Sequence, residues 1–456
     1  MTKRSKEPSD TRVAMPTRRK AILATTGTLL LGGLSAMGMG SMSASRTVWP
    51  SGEPIPRAYF GMHIHRADTS TPWPSVRFGS WRLWDAAVSW SRLEPQRGQW
   101  DFKRLDKYVA MAGLTGVNVL FPLGLPPAWA SARPNEQSAY QPGNAAEPLN
   151  IGDWRNYVRA VAERYKGRIR YYELWNEPNL RNFYSGSVET MLELARETYA
   201  ILKQVDANNQ LAAPATTEGG KKLEWLDRYL ALGGGQYMDV LSHHFYVPRE
   251  SPEAMLPLMD DIRKLMARHA VAHKPVWNTE TGWWFDKPTA SSTFTSWKKL
   301  KPTEAASYVS RALILGWAVG MKRFYWYSWE HGNMGLVEGE DYALNAAGKA
   351  FIRTQKWLEG AVMTNCTASQ GRWVCNLNRN GADAWLVWTD TDSQREWTIP
   401  DSWFVTHQES LNGELRELVS RTIVVEVGPM LLSRGADWSS RPHAGMPGNL
   451  HSVAEP

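Results

Sequence analysis

The sequence lacks several features that would each define a class of protein. Cysteine occurs only twice in 456 residues, which excludes a disulfide-rich scaffold. The apolar run that ends near Ala36 is short and rich in glycine for a membrane span of about 20 residues. Hydrophobic residues at 43% and charged residues at 21% exclude disorder for most of the chain. The composition indicates a soluble globular protein with a large core.

A strong excess of one charge is also missing once the N-terminus is set aside. The formal charge is +7, but the first 45 residues hold seven basic and two acidic side chains. The rest of the chain contains 45 basic and 43 acidic residues, a net charge of +2. This near-neutral balance argues against a general basic surface, so no nucleic-acid partner is expected.

Residues 1–45 are predicted to be a targeting segment rather than part of the fold. Arg18 and Arg19 stand directly before a weakly apolar stretch, as in a bacterial twin-arginine export signal, and small residues around Ala44 offer a cleavage site. Ala21 departs from that pattern, which usually has a large apolar residue there. An uncleaved anchor is the alternative. We expect a periplasmic or secreted protein with no stable membrane span after cleavage.

The two cysteines, Cys366 and Cys375, lie nine positions apart with a turn-like Ser-Gln-Gly-Arg between them. In an oxidising compartment this spacing suits a disulfide across a β-hairpin. A reduced pair is the alternative if the chain is not exported. Two thiols without histidine companions make a poor metal site. Neither a metal nor a cofactor is predicted.

Residues 59–360 alternate short apolar runs with helical patterns, which is typical of βα units. Eight candidate strands fit this range, and segments with apolar spacing of three and four separate them. A (β/α)8 TIM barrel is the natural closure at this length. The candidate strands are 59–63, 80–84, 117–121, 170–175, 211–214, 239–245, 275–279 and 323–327.

The pattern changes after a predicted last helix at 347–358. Short alternating runs broken by Asn-Gly turns predict a smaller C-terminal β-sandwich-like domain, which the segment before the barrel is expected to join. The polar C-terminus, with proline and glycine, is predicted to be disordered. The predicted parts are an export signal 1–45, a lead segment 46–58, a barrel 59–360, a β-domain 361–435 and a tail 436–456.

Two glutamates stand just past the ends of candidate strands four and seven. Glu177 lies in Trp175-Asn176-Glu177-Pro178, and Glu280 lies in Thr279-Glu280-Thr281-Gly282. A barrel places active-site residues at the C-terminal strand ends, and these two strands face each other across its mouth. Retaining hydrolysis of a glycosidic bond needs two carboxyl groups about 5 Å apart. The arrangement predicts Glu280 as the ionised nucleophile and Glu177 as the protonated acid/base.

Further motifs accompany the two glutamates, and together they resemble one family. They occur in the order Arg82-Leu83-Trp84-Asp85, Asn176-Glu177-Pro178, His244-Phe245-Tyr246 and Thr279-Glu280-Thr281-Gly282. In residues 59–360 the chain resembles clan A of the glycoside hydrolases and, within it, family 39. That family is a group of β-xylosidases, iduronidase-like enzymes and exopolysaccharide glycosidases.

The resemblance implies a role for each matching residue. Glu177 would be the acid/base and Glu280 the nucleophile, while Asn176 would hold the sugar 2-hydroxyl. Around Glu280, Tyr246 would donate a hydrogen bond and Arg82 would help to keep the carboxylate ionised. The sugar-binding site would also be lined by His244 and floored by Trp326.

Several neighbouring residues have simpler interpretations. Glu173, four positions before Glu177, is predicted to be a buried structural partner of a basic group such as Arg82. The adjacent His243 and His244 point to opposite faces of a strand, which disfavours a metal site. Many of the 24 tryptophans stand in or beside loops, which suits an elongated glycan cleft, although core packing is the alternative for each.

The sequence therefore predicts a retaining O-glycoside hydrolase that acts on a polysaccharide, namely a bacterial exopolysaccharide. One alternative is an exo-acting β-xylosidase-like enzyme of clan A. The other is a catalytically silent glycan-binding protein of exopolysaccharide assembly. No prediction is made about the oligomeric state.

Overall fold

The computed structural model describes residues 45–48, 50–217, 223–286, 296–390 and 394–440. The predicted export signal, except Ser45, and residues 441–456 of the predicted tail lie outside these ranges. Among the described helices, none combines the length and the apolar character that crossing a bilayer requires.

Eight parallel strands form the predicted barrel. The hydrogen-bonded order is β5, β4, β3, β2, β1, β8, β7, β6, and the fifth strand joins the two ends of this sheet. Gln210–Ala212 pairs with β4, while its continuation Thr216–Thr217 pairs with β6. The strands are β1 Phe60–Met62, β2 Ser80–Arg82, β3 Asn118–Leu123, β4 Tyr171–Leu174, β5 Gln210–Ala212, β6 Leu241–His244, β7 Val276–Thr281 and β8 Met321–Trp326.

Helices alternate with these strands, and three of them start at residues whose side chains cap the helix. The side chains of Asn150, Ser187 and Asn345 each accept a hydrogen bond from a backbone N–H in the first turn of the helix that follows. The helices are α1 Trp90–Leu93, α2 Lys103–Thr115, α3 Ile151–Arg164, α4 Val188–Val205, α5 Glu224–Ala231, α6 Met255–Arg268, α7 Pro302–Ala318 and α8 Ala346–Leu358.

The C-terminal region forms an antiparallel sandwich. Its larger layer is a sheet of seven strands in the order Arg46–Val48, β9, β10, β11, β16, β13, β14, and its smaller layer is the two-stranded antiparallel sheet of β12 and β15. The lead segment thus supplies an edge strand. The strands are β9 Val362–Ser369, β10 Arg372–Arg379, β11 Ala382–Thr389, β12 Arg395–Thr398, β13 His407–Glu409, β14 Leu415–Glu417, β15 Thr422–Val425 and β16 Met430–Ser433.

Alternation along β11 divides the sandwich residues between two cores. Trp385 and Val387 pack with Val425 of the two-stranded sheet. Leu386 and Trp388 point the other way and belong to the same continuous core as the barrel. The seven-stranded sheet covers the outer side of α7, so this helix is buried on almost all of its faces.

Two details concern the ends of the predicted β-domain. Cys366 and Cys375 are directly paired across β9 and β10, and their sulfurs are bonded. The sequence predicts disorder for residues 436–440, but Trp438 is buried and its indole N–H donates to the carbonyl of Trp357. The tail prediction is therefore wrong for these first residues, because an indole has an apolar surface to bury.

Candidate active site

Glu177 and Glu280 meet at the C-terminal end of the barrel, as the sequence predicts. Glu177 follows β4, and Glu280 is the second-last residue of β7. One carboxylate oxygen of each lies within 4.8 Å of the other and of His244 Nδ1. Both glutamates are 8% exposed, which leaves each carboxyl group a narrow opening to the cleft.

The backbone after β4 turns sharply to aim Glu177. Trp175 and Glu177 adopt left-handed conformations with φ of 62° and 46°, which non-glycine residues seldom take. The buried Trp175 indole donates to the carbonyl of Phe183, and the Glu177 amide donates to the carbonyl of Ala215. These contacts hold a conformation that would otherwise be unfavourable, a feature often found at functional sites.

A bulge in β7 directs Glu280. His243 and His244 are adjacent on β6, but their partners on β7 are Asn278 and Glu280, so β7 has one extra residue between these two pairs. The other neighbour, β8, shows the same extra residue in β7. The insertion therefore lies at Thr279. Bulges of this kind re-aim side chains beside active sites.

Arg82, the last residue of β2, is the hub of the site. Its guanidinium is fully buried and donates to Glu173 Oε2 at 2.7 Å, to Asn176 Oδ1 at 2.8 Å and to Glu280 Oε2 at 2.9 Å. The prediction that Glu173 is a buried partner of Arg82 is confirmed. Because the Asn176 oxygen is engaged, its amide N–H groups are the ones left to face a sugar hydroxyl.

Burial is the largest cause of the shifted pKa values of the two glutamates. It raises the pKa of Glu177 to about 7, and burial together with the nearby Glu177 charge raises the pKa of Glu280 to about 8. Two carboxyls this close titrate as a pair that holds one proton near neutral pH.

Hydrogen bonds indicate which glutamate holds that proton. The order of the two pKa values alone would put it on Glu280. However, Glu280 accepts from Arg82 and from Tyr246 Oη at 2.9 Å, and both donors favour a carboxylate. Glu177 contacts His244 Nδ1 at 2.9 Å instead. Burial lowers the pKa of His244 well below its usual value, so this partner is neutral and can accept the Glu177 proton in a hydrogen bond. We therefore assign the charge to Glu280 and the proton to Glu177.

His244 lies behind the cleft wall rather than on its surface. Its side chain is fully buried, and its Nε2 has no hydrogen-bond partner among the described residues. Glu177, His244 and Glu280 also form a possible metal-ligand set. Arg82 bonds directly to one of these ligands, and its permanent charge disfavours a second cation there.

Trp326 does not form the floor of the sugar site, so that prediction is wrong. Its side chain is fully buried, stacks on Trp283 and Phe285, and donates its indole N–H to the carbonyl of Met334. Adjacent residues of a strand point to opposite faces. The next residue, Tyr327, is half-buried and takes the cleft side, a placement that the alternation in β8 could have revealed.

Other loop residues divide between core and cleft. Trp284 packs with Tyr246 and Met334 beside the site, and Trp297 lies against the same cluster. Trp283 is fully buried and belongs to the core. Glu218, directly after the continuation of β5, and residues 287–295, after β7, lie outside the described residues.

The sequence profile of glycosyl hydrolases family 39 matches residues 63–316, more than half of the chain. The chain belongs to this family. The match begins in the loop after β1 and ends within α7, so it contains both glutamates and all the side chains that contact them. The prediction that this chain is a family 39-like member of clan A is confirmed.

Similar proteins agree with this assignment. A β-xylosidase of Geobacillus stearothermophilus is 25% identical over 63% of this chain and 62% of its own, and one of Caldicellulosiruptor saccharolyticus is 26% identical over 38% and 36%. The chain thus spans less than two thirds of these curated relatives. A family 39 structure from Bacteroides cellulosilyticus WH2 shares the fold with a TM-score of 0.66 at 17% identity, covering 83% of this chain and 81% of the other.

Proposed function

We propose that this protein hydrolyses O-glycosidic bonds with retention of configuration at the anomeric carbon. The observation that carries the proposal is the pair of buried carboxyls within 4.8 Å, one held by Arg82 and Tyr246 and the other by a neutral His244. Retaining enzymes hold their two carboxyl groups about 5 Å apart, whereas inverting enzymes keep them farther apart to admit a water.

In the first step Glu280 attacks the anomeric carbon while Glu177 gives its proton to the departing oxygen. A glycosyl ester forms on Glu280, and the glycosidic C–O bond breaks. The negative charge of Glu280 disappears in the ester and reappears on Glu177. Arg82 lowers the pKa of both carboxyls. It therefore stabilises the negative charge on Glu280 before this step and on Glu177 after it.

In the second step Glu177, now ionised, removes a proton from water, which attacks the same carbon and releases Glu280. Both carboxyls then return to their starting states. Asn176, whose side-chain oxygen accepts from Arg82, donates from its amide nitrogen to the sugar 2-hydroxyl, and this hydrogen bond strengthens in the transition state. No step requires a cofactor.

Substitution of the acid/base provides a direct test of these roles. Glu177→Gln cannot protonate the leaving oxygen, so we expect kcat/KM to fall by about 10²–10⁴-fold on an unactivated glycoside. An aryl glycoside with an acidic phenol needs no protonation, and its first step should change much less. Glu280→Gln should lose activity on both substrates. Equal losses on both substrates in Glu177→Gln protein would contradict the acid/base role, and full activity in Glu280→Gln would contradict the nucleophile.

For the substrate we propose a polysaccharide, in particular a bacterial exopolysaccharide. The partly exposed rings of Trp297 and Tyr327, which pack against Tyr246 and Trp284 beside the two carboxyls, support a glycan-binding cleft. The names of the relatives favour a second candidate, exo-acting β-xylosidase-like activity. Sizing the products from long polysaccharides separates the two, because exo action releases only the terminal sugar. A glycan that binds without any product would instead favour a silent binding protein.

We also propose that residues 1–45 direct export, so that the enzyme acts in the periplasm or outside the cell. Support comes from the paired arginines before the apolar stretch. N-terminal sequencing of the protein recovered from the producing cells tests this. Cleavage near Ala44 is expected, and an intact N-terminus in the cytoplasm would contradict it.

A further inference from the structure

A third carboxylate lies beside the catalytic pair, and the mechanism above does not use it. Asp85 follows β2 and belongs to the stretch Arg82-Leu83-Trp84-Asp85. Tyr140 Oη donates to its Oδ1 and Tyr327 Oη donates to its Oδ2, both at 2.7 Å. Asp85 is exposed to the cleft, while the two tyrosines are half-buried.

This arrangement brings together three separate loops. Asp85 follows β2, Tyr140 lies between β3 and α3, and Tyr327 directly follows β8. The backbone of Asp85 adopts a left-handed φ of 58°, a conformation that aspartate and asparagine tolerate better than most residues. The two phenols therefore fix the carboxylate in one orientation at the mouth of the cleft.

The charge of Asp85 is not neutralised by its surroundings. None of the lysine or arginine residues in the described ranges forms an ion pair with it, and its two hydrogen-bond donors are neutral. Arg82 is already shared by Glu173 and Glu280. Burial first, and the nearby Asp85 charge in addition, raise the pKa of both Glu177 and Glu280, so Asp85 acts electrostatically on the reacting groups.

The oxygens of Asp85, Tyr140 and Tyr327 can form further hydrogen bonds only as acceptors. Each Asp85 oxygen has accepted one hydrogen bond and can accept another. The Tyr327 oxygen keeps its lone pairs, and the Tyr140 oxygen, to which the indole of Trp84 donates, keeps one. Burial raises the pKa of Tyr140 and Tyr327 well above the usual value, so both remain protonated and continue to donate to Asp85. A ligand group at this position must therefore donate, and a positive charge on it gains most.

We propose that Asp85, oriented by Tyr140 and Tyr327, is a specificity-determining residue that selects a sugar carrying a free ammonium group and excludes uronic acids. This inference rests on the proposed function, because it assigns a substrate class to the same cleft. The ammonium group would donate to Asp85 and to the phenol oxygens, whereas the carboxylate of a uronic acid would meet a fixed like charge.

Equilibrium binding tests the inference without any turnover. The probes are the methyl β-glycosides of glucosamine, glucose and glucuronic acid with their galacto counterparts, at about pH 6, where the amino and carboxyl groups of the ligands are charged. In the wild type, the better of the two amino sugars should bind on the order of tenfold more tightly than its neutral counterpart. The uronic acids should bind more weakly than the neutral sugars.

Asp85→Asn is the decisive variant, because asparagine tolerates the same backbone and its amide can both accept from one tyrosine and donate to the other. The preference for the amino sugar should fall to within about threefold of neutral. Asp261→Asn is the matched control, since it removes the same charge from an exposed position on α6. The control should keep the wild-type order.

Two results would overturn the inference: a wild type that binds amino sugars no more tightly than neutral ones, or an Asp85→Asn protein that keeps the wild-type order. If that variant does not fold, salt provides a second measure, because attraction to an exposed carboxylate must weaken as ionic strength rises. A salt-independent preference would contradict the proposal. Failure of the retaining mechanism leaves this binding order unchanged, and failure of the Asp85 inference leaves hydrolysis unchanged.

Discussion

Among the described residues, Arg82 carries the one permanent positive charge that contacts either of the two proposed catalytic carboxyls. It bonds to Glu280 directly, whereas its effect on Glu177 acts through space. Tyr246 adds a second donor to Glu280. Both carboxyls are equally buried, so the difference between the proposed nucleophile and the proposed acid comes from which carboxyl receives charge-stabilising hydrogen bonds.

Removing the Tyr246 hydroxyl should alter the pH profile. The hydrogen bond from Tyr246 lowers the pKa of Glu280, so its loss in Tyr246→Phe raises that pKa by about one unit. Activity needs ionised Glu280, so the acid limb of kcat/KM against pH should move to higher pH. Tyr199→Phe is the control, since its hydroxyl contacts Asp239 on the barrel exterior. An unshifted acid limb in Tyr246→Phe would rule out this role.

At the scale of elements, strand alternation and one bulge determine which side chains reach the cleft. In β8, Tyr325 faces the barrel interior with Leu120 and Trp277, Trp326 faces the outer core, and Tyr327 returns to the cleft. In β7 the extra residue at Thr279 changes this alternation just before Glu280. The catalytic geometry thus depends on an irregularity in an otherwise regular sheet.

Alanine substitutions at Trp326 and Tyr327 should separate stability from activity. Trp326→Ala removes a fully buried indole and should lower the free energy of unfolding by about 3–5 kcal/mol. Tyr327→Ala should cost less stability but reduce kcat/KM more per folded molecule. Denaturant unfolding and kinetics on the same preparations measure both. The reverse order would restore Trp326 as the sugar-site floor.

The sequence predicts the barrel well because each strand has its own apolar run and each helix its own periodicity. All eight predicted strands overlap observed ones, and the contacts of Arg82 and Tyr246 with Glu280 are those that the family resemblance implied. The cluster around Asp85 could not be predicted in this way. Tyr140 lies in a long irregular loop, and no periodic pattern links it to residues 55 and 187 positions away.

At the scale of the whole molecule, the C-terminal sandwich is joined to the barrel by packing and by buried polar contacts. Glu253 bonds to Arg311 of α7 and accepts from the indole of Trp388 in β11. Glu409 of β13 accepts from the indole of Trp357 and pairs with Arg353. The shared core implies that the two parts unfold together.

The raised carboxyl pKa values should make the stability of the whole molecule depend on pH. In the unfolded chain Glu177 and Glu280 return to about 4.5, while in the fold they lie at about 7 and 8. The folded state therefore binds more protons than the unfolded state over this range. The free energy of unfolding consequently falls as pH rises from about 5 to about 8. The double variant Glu177→Gln/Glu280→Gln should gain stability relative to the wild type over that range.

Comparison of the two proteins at each pH isolates this effect. The buried His63 and His244 have lowered pKa values and contribute the opposite slope, but they are present in both proteins. The difference in Tm should increase by several degrees between pH 5 and pH 8. A difference in Tm that does not change with pH would contradict the raised pKa values.

The anomeric configuration of the first product tests the retaining mechanism most directly. The purified protein is incubated with a polysaccharide that it cleaves, and the anomeric protons are followed by NMR before mutarotation. Two carboxyls this close predict that the product first appears with the configuration of the substrate. A first product of opposite configuration would contradict the roles assigned to Glu177 and Glu280.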